Sequence, residues 1–211
     1  MKRQIENPIF NHKTKDEIRK QIADTVIPGQ TMFDLYGSGQ NYRYCKERGV
    51  GIFSIDDGSD FKNAQNLKME LGPLELSSNG KLFSKDRAFI GLADLSQLVR
   101  NEFWTTWLDF CGPLGMHMWR DIPGICKIMT PVGYIFITYS CGHETFLQKG
   151  ASRQMINEFG LLTTEAMLEA NGIKLVKQVM NEHYISRPEY SDRKSNRGTP
   201  MVTVGYRYIK I

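Results

Sequence analysis

Four short apolar runs in this chain close on an aspartate at or near their carboxyl ends. They are 31–36 with Asp34, 51–55 before Asp56, 88–93 before Asp94, and 105–108 before Asp109. Runs this short, rich in β-branched and aromatic residues and bounded by Gly and Asp, read as strands. A single aspartate at a strand end is most often a turn former or a helix cap. Four of them on one edge require the strands to run in the same direction. Parallel strands need long crossovers, normally helices. The carboxyl ends then line a common crevice, which is where open α/β sheets hold their ligands.

The segments between the runs supply those crossovers. Thr14-Lys15-Asp16-Glu17 has a capping-box spacing, and Ile18, Ile22 and Val26 follow at helical intervals. That predicts a helix over 15–26, stopped by Pro28-Gly29. A polar helix over 39–48 ends at Gly49, which suits a left-handed cap. Residues 60–71 read as a helix, and 74–84 as a small hairpin around Asn79-Gly80. A helix over 114–130 is expected to break near Pro123. Residues 134–139 are the clearest strand. Residues 151–170 form the clearest helix, with Met155, Phe159, Leu162 and Ala166 on one face and Asn171-Gly172 closing it. Strands 173–185 and 201–209 have no helix between them, only the basic loop 187–198, so they should be antiparallel neighbours.

The expected fold is therefore α/β: a mostly parallel sheet of about seven strands with helices on both faces. Residues 1–211 read as one domain, with 1–29 as an N-terminal helical extension and 74–84 as a hairpin insert. The composition agrees. With 41% hydrophobic and 24% charged residues in 211, a disordered chain is excluded and a substantial core is possible. No apolar run reaches the ~18 residues of a membrane span. Met1 to Asn7 has no apolar stretch behind it and does not read as a signal peptide. Cys45, Cys111, Cys126 and Cys141 have neither disulfide-framework nor metal-knuckle spacing. A reducing, cytoplasmic setting and no metal are expected. The net charge of +4 is gathered at the chain ends. Residues 1–20 carry six basic and three acidic side chains, and 187–198 carry four and two. A polyanionic partner is compatible with that distribution, and so are simple solvated tails.

Asp34-Leu35-Tyr36-Gly37-Ser38-Gly39 joins a strand to a helix, where glycines permit close ligand approach and the helix offers free N–H groups. It is not a P-loop, because no Gly-Lys-Ser/Thr follows. Asp56 lies 22 residues after Asp34, at the next strand end, where an acid can accept from both ribose hydroxyls. Asp94 can accept from an adenine amino group. Together these motifs, with Ile55-Asp56-Asp57, Ala93-Asp94-Leu95 and Leu108-Asp109-Phe110-Cys111-Gly112-Pro113, resemble those of class I S-adenosylmethionine-dependent methyltransferases. The resemblance covers about residues 30–211, largely as an order of elements. It implies a three-layer Rossmann-like sheet of order 3-2-1-4-5-7-6 with only the last strand antiparallel. It also implies S-adenosyl-L-methionine as cofactor, held by Asp34, Tyr36, Gly37, Ser38, Gly39, Asp56, Asp57, Asp94 and Leu95.

The fourth motif bears on the methyl acceptor. Asp109 can orient an N–H nucleophile and Phe110 can stack on a planar ring. The loose likeness is to enzymes that methylate exocyclic amino groups of nucleic-acid bases, so DNA or RNA is the expected partner. Cys111 raises the alternative of a thiolate attacking carbon, but the motif holds no basic residue to activate it. Tyr139 and His143 after the fifth strand, and Arg193 and Lys194 in the basic loop, are expected on the acceptor side. The competing readings are a small-molecule or protein methyltransferase, and a noncatalytic binding module on the same scaffold.

Overall fold

Parallel pairing organises the sheet as the strand-end aspartates require. The computed structural model describes residues 15–35, 40–55, 103–113, 116–140, 153–186 and 199–211. Their elements are α1 (Lys15–Ala23), β1 (Thr31–Leu35), α2 (Gln40–Glu47), β2 (Gly51–Ile55) and β3 (Phe103–Pro113). There follow α3 (Met116–Ile128), β4 (Met129–Ser140), α4 (Arg153–Ala170), β5 (Ile173–Ser186) and β6 (Thr199–Lys210). The described strands form one sheet in the order β2-β1-β3-β4-β6-β5. β1 pairs parallel with β2 and β3, and β3 with β4. β6 runs antiparallel to both β4 and β5. The expected strand 88–93, helix 60–71 and hairpin 74–84 lie outside the described residues.

One face of the sheet carries α1 and α2. Ile18, Ile22, Ala23 and Val26 pack with Met32, Cys45, Val50, Trp107, Phe136, Met180, Tyr184 and Met201 in a single buried cluster. Within the segment 1–29 expected as an extension, Ile18, Ile22, Ala23 and Val26 are core residues. α1 ends at Ala23 rather than 26, because the Thr25 hydroxyl donates to the Ile22 carbonyl at 2.7 Å and turns the chain. The Trp104 indole donates to the Thr25 carbonyl at 3.1 Å, pinning that turn to β3. α2 ends as expected at Gly49, whose φ of 65° is left-handed. The other face carries α4, where Tyr206 donates to Glu165 at 3.1 Å.

Two helical expectations fail. α3 runs through Pro123 without a break. The apolar stripe expected to bury α4 is instead exposed: Met155 is 59% and Leu162 67% accessible, with Phe159 and Ala166 also exposed. Among the described side chains of this helix the buried positions are Gly160, Thr164 and Leu168, at four-residue intervals. Small residues let a helix approach its neighbours closely, yet they give almost no hydrophobic signal.

Gly205 marks the tightest packing on the α1 face. It pairs with Phe136, and a Cβ there would lie 2.4 Å from the Phe136 ring. Phe136 is fully buried and stacks on Tyr134 at a centroid distance of 6.5 Å, so the ring has little room to retreat. Gly205→Ala should lower the unfolding free energy by ~1–3 kcal/mol, the usual penalty of overpacking. Urea denaturation followed by circular dichroism measures it; an unchanged midpoint would show that the ring yields freely.

Candidate functional site

Register places two of the strand-end acids on one face. Asp34 pairs with Trp107 across β1 and β3. Asp109 follows Trp107 by two residues, so both carboxylates sit on the α1 face of adjacent strands, about 8 Å apart at Cα from strand spacing and rise. The β3–β4 ladder is regular as far as Asp109 opposite Thr138, and then shifts before Pro113 meets Ser140. The strand expected to stop at Asp109 therefore continues, irregularly, through Phe110, Cys111 and Gly112.

Below the acids one row of polar groups is paired. The Trp107 indole donates to the Thr138 hydroxyl at 3.0 Å, and that hydroxyl lies 2.7 Å from the Thr203 hydroxyl. At the acids themselves the pairing is incomplete. Asn41, in the first turn of α2, donates its side-chain amide to Asp34 Oδ2 at 2.7 Å. Lys15, the first residue of α1, holds Asp109 Oδ2 at 2.7 Å. Asp34 Oδ1, Asn41 Oδ1 and Asp109 Oδ1 are buried with no hydrogen-bond partner. Asp34 is 2% exposed, Asn41 9%, and the Asp109 side chain 9%. Buried acceptors without donors are rare in folded proteins and each carries a desolvation penalty. Of the six buried side-chain atoms without a hydrogen-bond partner among the described residues, these three fall in one cluster at the carboxyl edge of the parallel strands, where a molecule bringing N–H or O–H donors would satisfy them.

Electrostatics at Asp34 agrees. Burial pushes its carboxyl up to about 8, opposed by the Asn41 hydrogen bond, reinforced by Asp109, and opposed again by Lys15 and Arg19. The neighbouring Cys45 thiol is buried and pushed up to about 12, so it stays neutral.

α1 is held rigidly over this cluster by α2. Tyr44 donates to Asp16 Oδ2 at 2.6 Å, the Lys20 ammonium lies 5.4 Å from the Tyr44 ring centroid, and Arg48 donates to Asp24 at 2.7 Å. Sequence reasoning found Asp34 and Asp109 but missed Lys15 and Asn41. Neither carries a local signal: Lys15 pairs with a residue 94 positions away, and Asn41 is a polar residue in the first turn of a helix. Tyr139 is fully buried on the opposite face of the sheet from Asp34 and Asp109, so it does not join their cluster. Tyr36, Gly37, Ser38, Gly39, Asp56, Asp57, Asp94, Leu95, His143, Arg193 and Lys194 lie outside the described residues. Phe110 and Cys111 are placed only as backbone of β3.

No family model matches the sequence, and no curated protein matches it. Solved structures do. TYW2 of P. horikoshii, in complex with MeSAdo, matches with a TM-score of 0.58 at 12% identity, covering 95% of this chain and 65% of that one. TYW2 of M. jannaschii, in complex with AdoMet, gives 0.56 at 12%, covering 94% and 78%. The Burkholderia thailandensis 1,6-didemethyltoxoflavin-N1-methyltransferase, with its acceptor and S-adenosylhomocysteine bound, gives 0.55 at 12%, covering 92% and 78%. The chain thus spans just under two thirds of the P. horikoshii protein. It has the fold of class I S-adenosylmethionine-dependent methyltransferases.

The Asp34 environment predicts a stability signature. The folded chain holds the Asp34 proton from pH 3.8 up to about 8, where the unfolded chain has lost it. Stability from this group is therefore full below the lower value and falls as pH rises toward the upper one, at up to ~1.4 kcal/mol per pH unit. Asp34→Asn keeps the shape and removes the titration. Its melting temperature should exceed that of wild type at pH 7 and converge with it near pH 4. Parallel melting curves across that range would contradict a buried, protonated Asp34.

Proposed function

We propose that this chain is an S-adenosylmethionine-dependent methyltransferase whose acceptor is an exocyclic amino group of a nucleic-acid base. The observation that carries the reading is the buried Asp34–Asn41–Asp109 cluster, with its three unpartnered oxygens at the carboxyl edge of this sheet. Cofactor-type molecules bound in the structural neighbours support it. The residues present fit the cofactor: Asp34 Oδ1 and Asn41 Oδ1 are acceptors for the ammonium at its amino-acid end. Gly37, Ser38 and Gly39, with Tyr36, would line that end; Asp56 and Asp57 would take the ribose; Asp94 and Leu95 would take the adenine. The full sheet would add strand 88–93 beside β2, giving the seven-strand order 3-2-1-4-5-7-6.

When bound, S-adenosylmethionine supplies an electrophilic methyl group. The chain's own contribution is placement and charge. Lys15 fixes Asp109 Oδ2 and leaves Oδ1 to accept an N–H of the acceptor. The acceptor nitrogen gains positive charge as it reacts, so the carboxylate binds the transition state better than the ground state. Phe110 would stack on the base. His143, Arg193 and Lys194 would meet the rest of the acceptor, the two basic side chains suiting a phosphate backbone. A small-ring acceptor is the second reading, supported by the toxoflavin precursor held by the B. thailandensis neighbour.

A radiolabelled methyl-transfer screen over DNA, tRNA, rRNA, protein and small heterocycles tests the acceptor. Label entering nucleic acid is expected; label entering only heterocycles selects the second reading. With an acceptor in hand, Asp109→Asn should slow single-turnover transfer ~100- to 1,000-fold while leaving cofactor affinity intact. Phe110→Ala should weaken acceptor binding by ~1–3 kcal/mol. Cys111→Ser should be mild. If instead Cys111→Ser abolishes transfer and Asp109→Asn does not, the methyl group goes to carbon through a thiolate adduct.

A further inference from the structure

We propose that Asp34 carries a proton in the ligand-free chain and surrenders it when a ligand ammonium enters, so that cofactor binding releases one proton. The inference rests on the reading of this cluster as the seat of the cofactor's amino-acid end. Two observations carry it. The first is the pattern of hydrogen bonds. Asn41 gives Asp34 Oδ2 its amide N–H, after which Asp34 Oδ1 and Asn41 Oδ1 are both left as acceptors in a buried pair. Acceptors cannot satisfy each other. A proton on Asp34 Oδ1 turns that oxygen into a donor, and an ammonium placed there supplies donors from outside. The same oxygen cannot hold both.

The second observation is charge. Lys15 and Asp109 form one ion pair at 2.7 Å and neutralise each other. An ionised Asp34 on the adjacent strand would add a second buried carboxylate to that pair. Among the described residues, the charged groups facing it are Asp109 from β3 and Lys15 and Arg19 from α1, and Arg19 also reaches Asp16 at 3.9 Å. From α2, among its described side chains, the facing groups are the neutral amide of Asn41 and the thiol of Cys45. Holding a proton keeps the carboxyl neutral without a ligand. An arriving ammonium brings one positive charge, and an ionised Asp34 cancels it. The total charge of the cluster is then the same before and after. The upward displacement of Asp34 to about 8 agrees with this resting state. In the exchange the Asp34 O–H bond breaks, its electron pair stays on the carboxylate, and the proton passes to the buffer. The ligand keeps all three N–H bonds.

The test is calorimetry of S-adenosylhomocysteine with the full chain at about pH 6.5, where an α-amino group is still charged. Titrations in phosphate and in imidazole, which differ in ionisation enthalpy, count the protons released. Close to one per ligand is expected, and affinity should rise about tenfold from pH 6 to pH 7. 5′-Methylthioadenosine lacks the amino-acid end and should bind with no release. Asp34→Asn should bind S-adenosylhomocysteine with no release. If both nucleosides bind wild type without proton release, the proposal is wrong and the cofactor reading stands. If neither binds the folded protein, the cofactor reading falls and the proposal falls with it.

Discussion

Parallel pairing of β1 with β3 decides where every charged group of this site goes. It sets Asp34 level with Trp107, and so puts Asp109 one step further along the same face. A slip of one residue would send one carboxylate to the α4 side and separate the two. The register is protected from both sides of the sheet. Trp107 and Met32 are locked into the cluster under α1, while Phe33 meets Phe103 on the other face at a centroid distance of 5.3 Å. The apolar residues thus supply order that the acids alone would oppose, since burying polar carboxyl groups on neighbouring strands carries a desolvation cost.

α1 completes the arrangement from outside the sheet. Its apolar side, Ile18 and Ile22, is buried against Trp107 and Phe136, and that packing sets the height of its first residue. Lys15 reaches Asp109 because the helix cannot roll or slide without exposing those isoleucines. The polar ties from Tyr44 to Asp16 and from Arg48 to Asp24 add direction to this contact. Both ties are at least partly exposed, so they contribute little stability on their own. Their effect is to fix which side of α1 faces the acids.

Among the described residues, the sheet was legible in the sequence where a strand was a compact apolar run. β2 is found at its expected limits, 51–55. β3 and β4 are longer than expected, at Phe103–Pro113 and Met129–Ser140, because ladders continue through Thr, Gly and Pro that break an apolar run. The α4 stripe misled for the converse reason. Periodicity detects large apolar residues, and this helix buries Gly160 and Thr164 while exposing Met155 and Leu162. At the site, Asp34 and Asp109 were legible because an acid at a strand end is visible locally. Asn41 was not, since a polar residue in the first turn of a helix is unremarkable until its partner is known. Lys15 contacts a residue 94 positions away in the chain, a distance over which no local pattern reports.

The partial satisfaction of the cluster is itself informative about its use. A structural buried acid can be paired completely, as the Trp107–Thr138–Thr203 hydroxyl row is paired just beneath. Here each of three neighbouring side chains has one polar atom engaged and one left over. The engaged atoms fix the orientation of each group, and the spare atoms are thereby held in place before any ligand arrives. A site prepared in this way stabilises a donor-bearing ligand without reorganising, at the expense of stability while it is empty. That division explains why Lys15 matters more than its single ion pair suggests. Without it, Asp109 would be free to turn its second oxygen inward, and the cluster would lose the fixed direction of its spare acceptor.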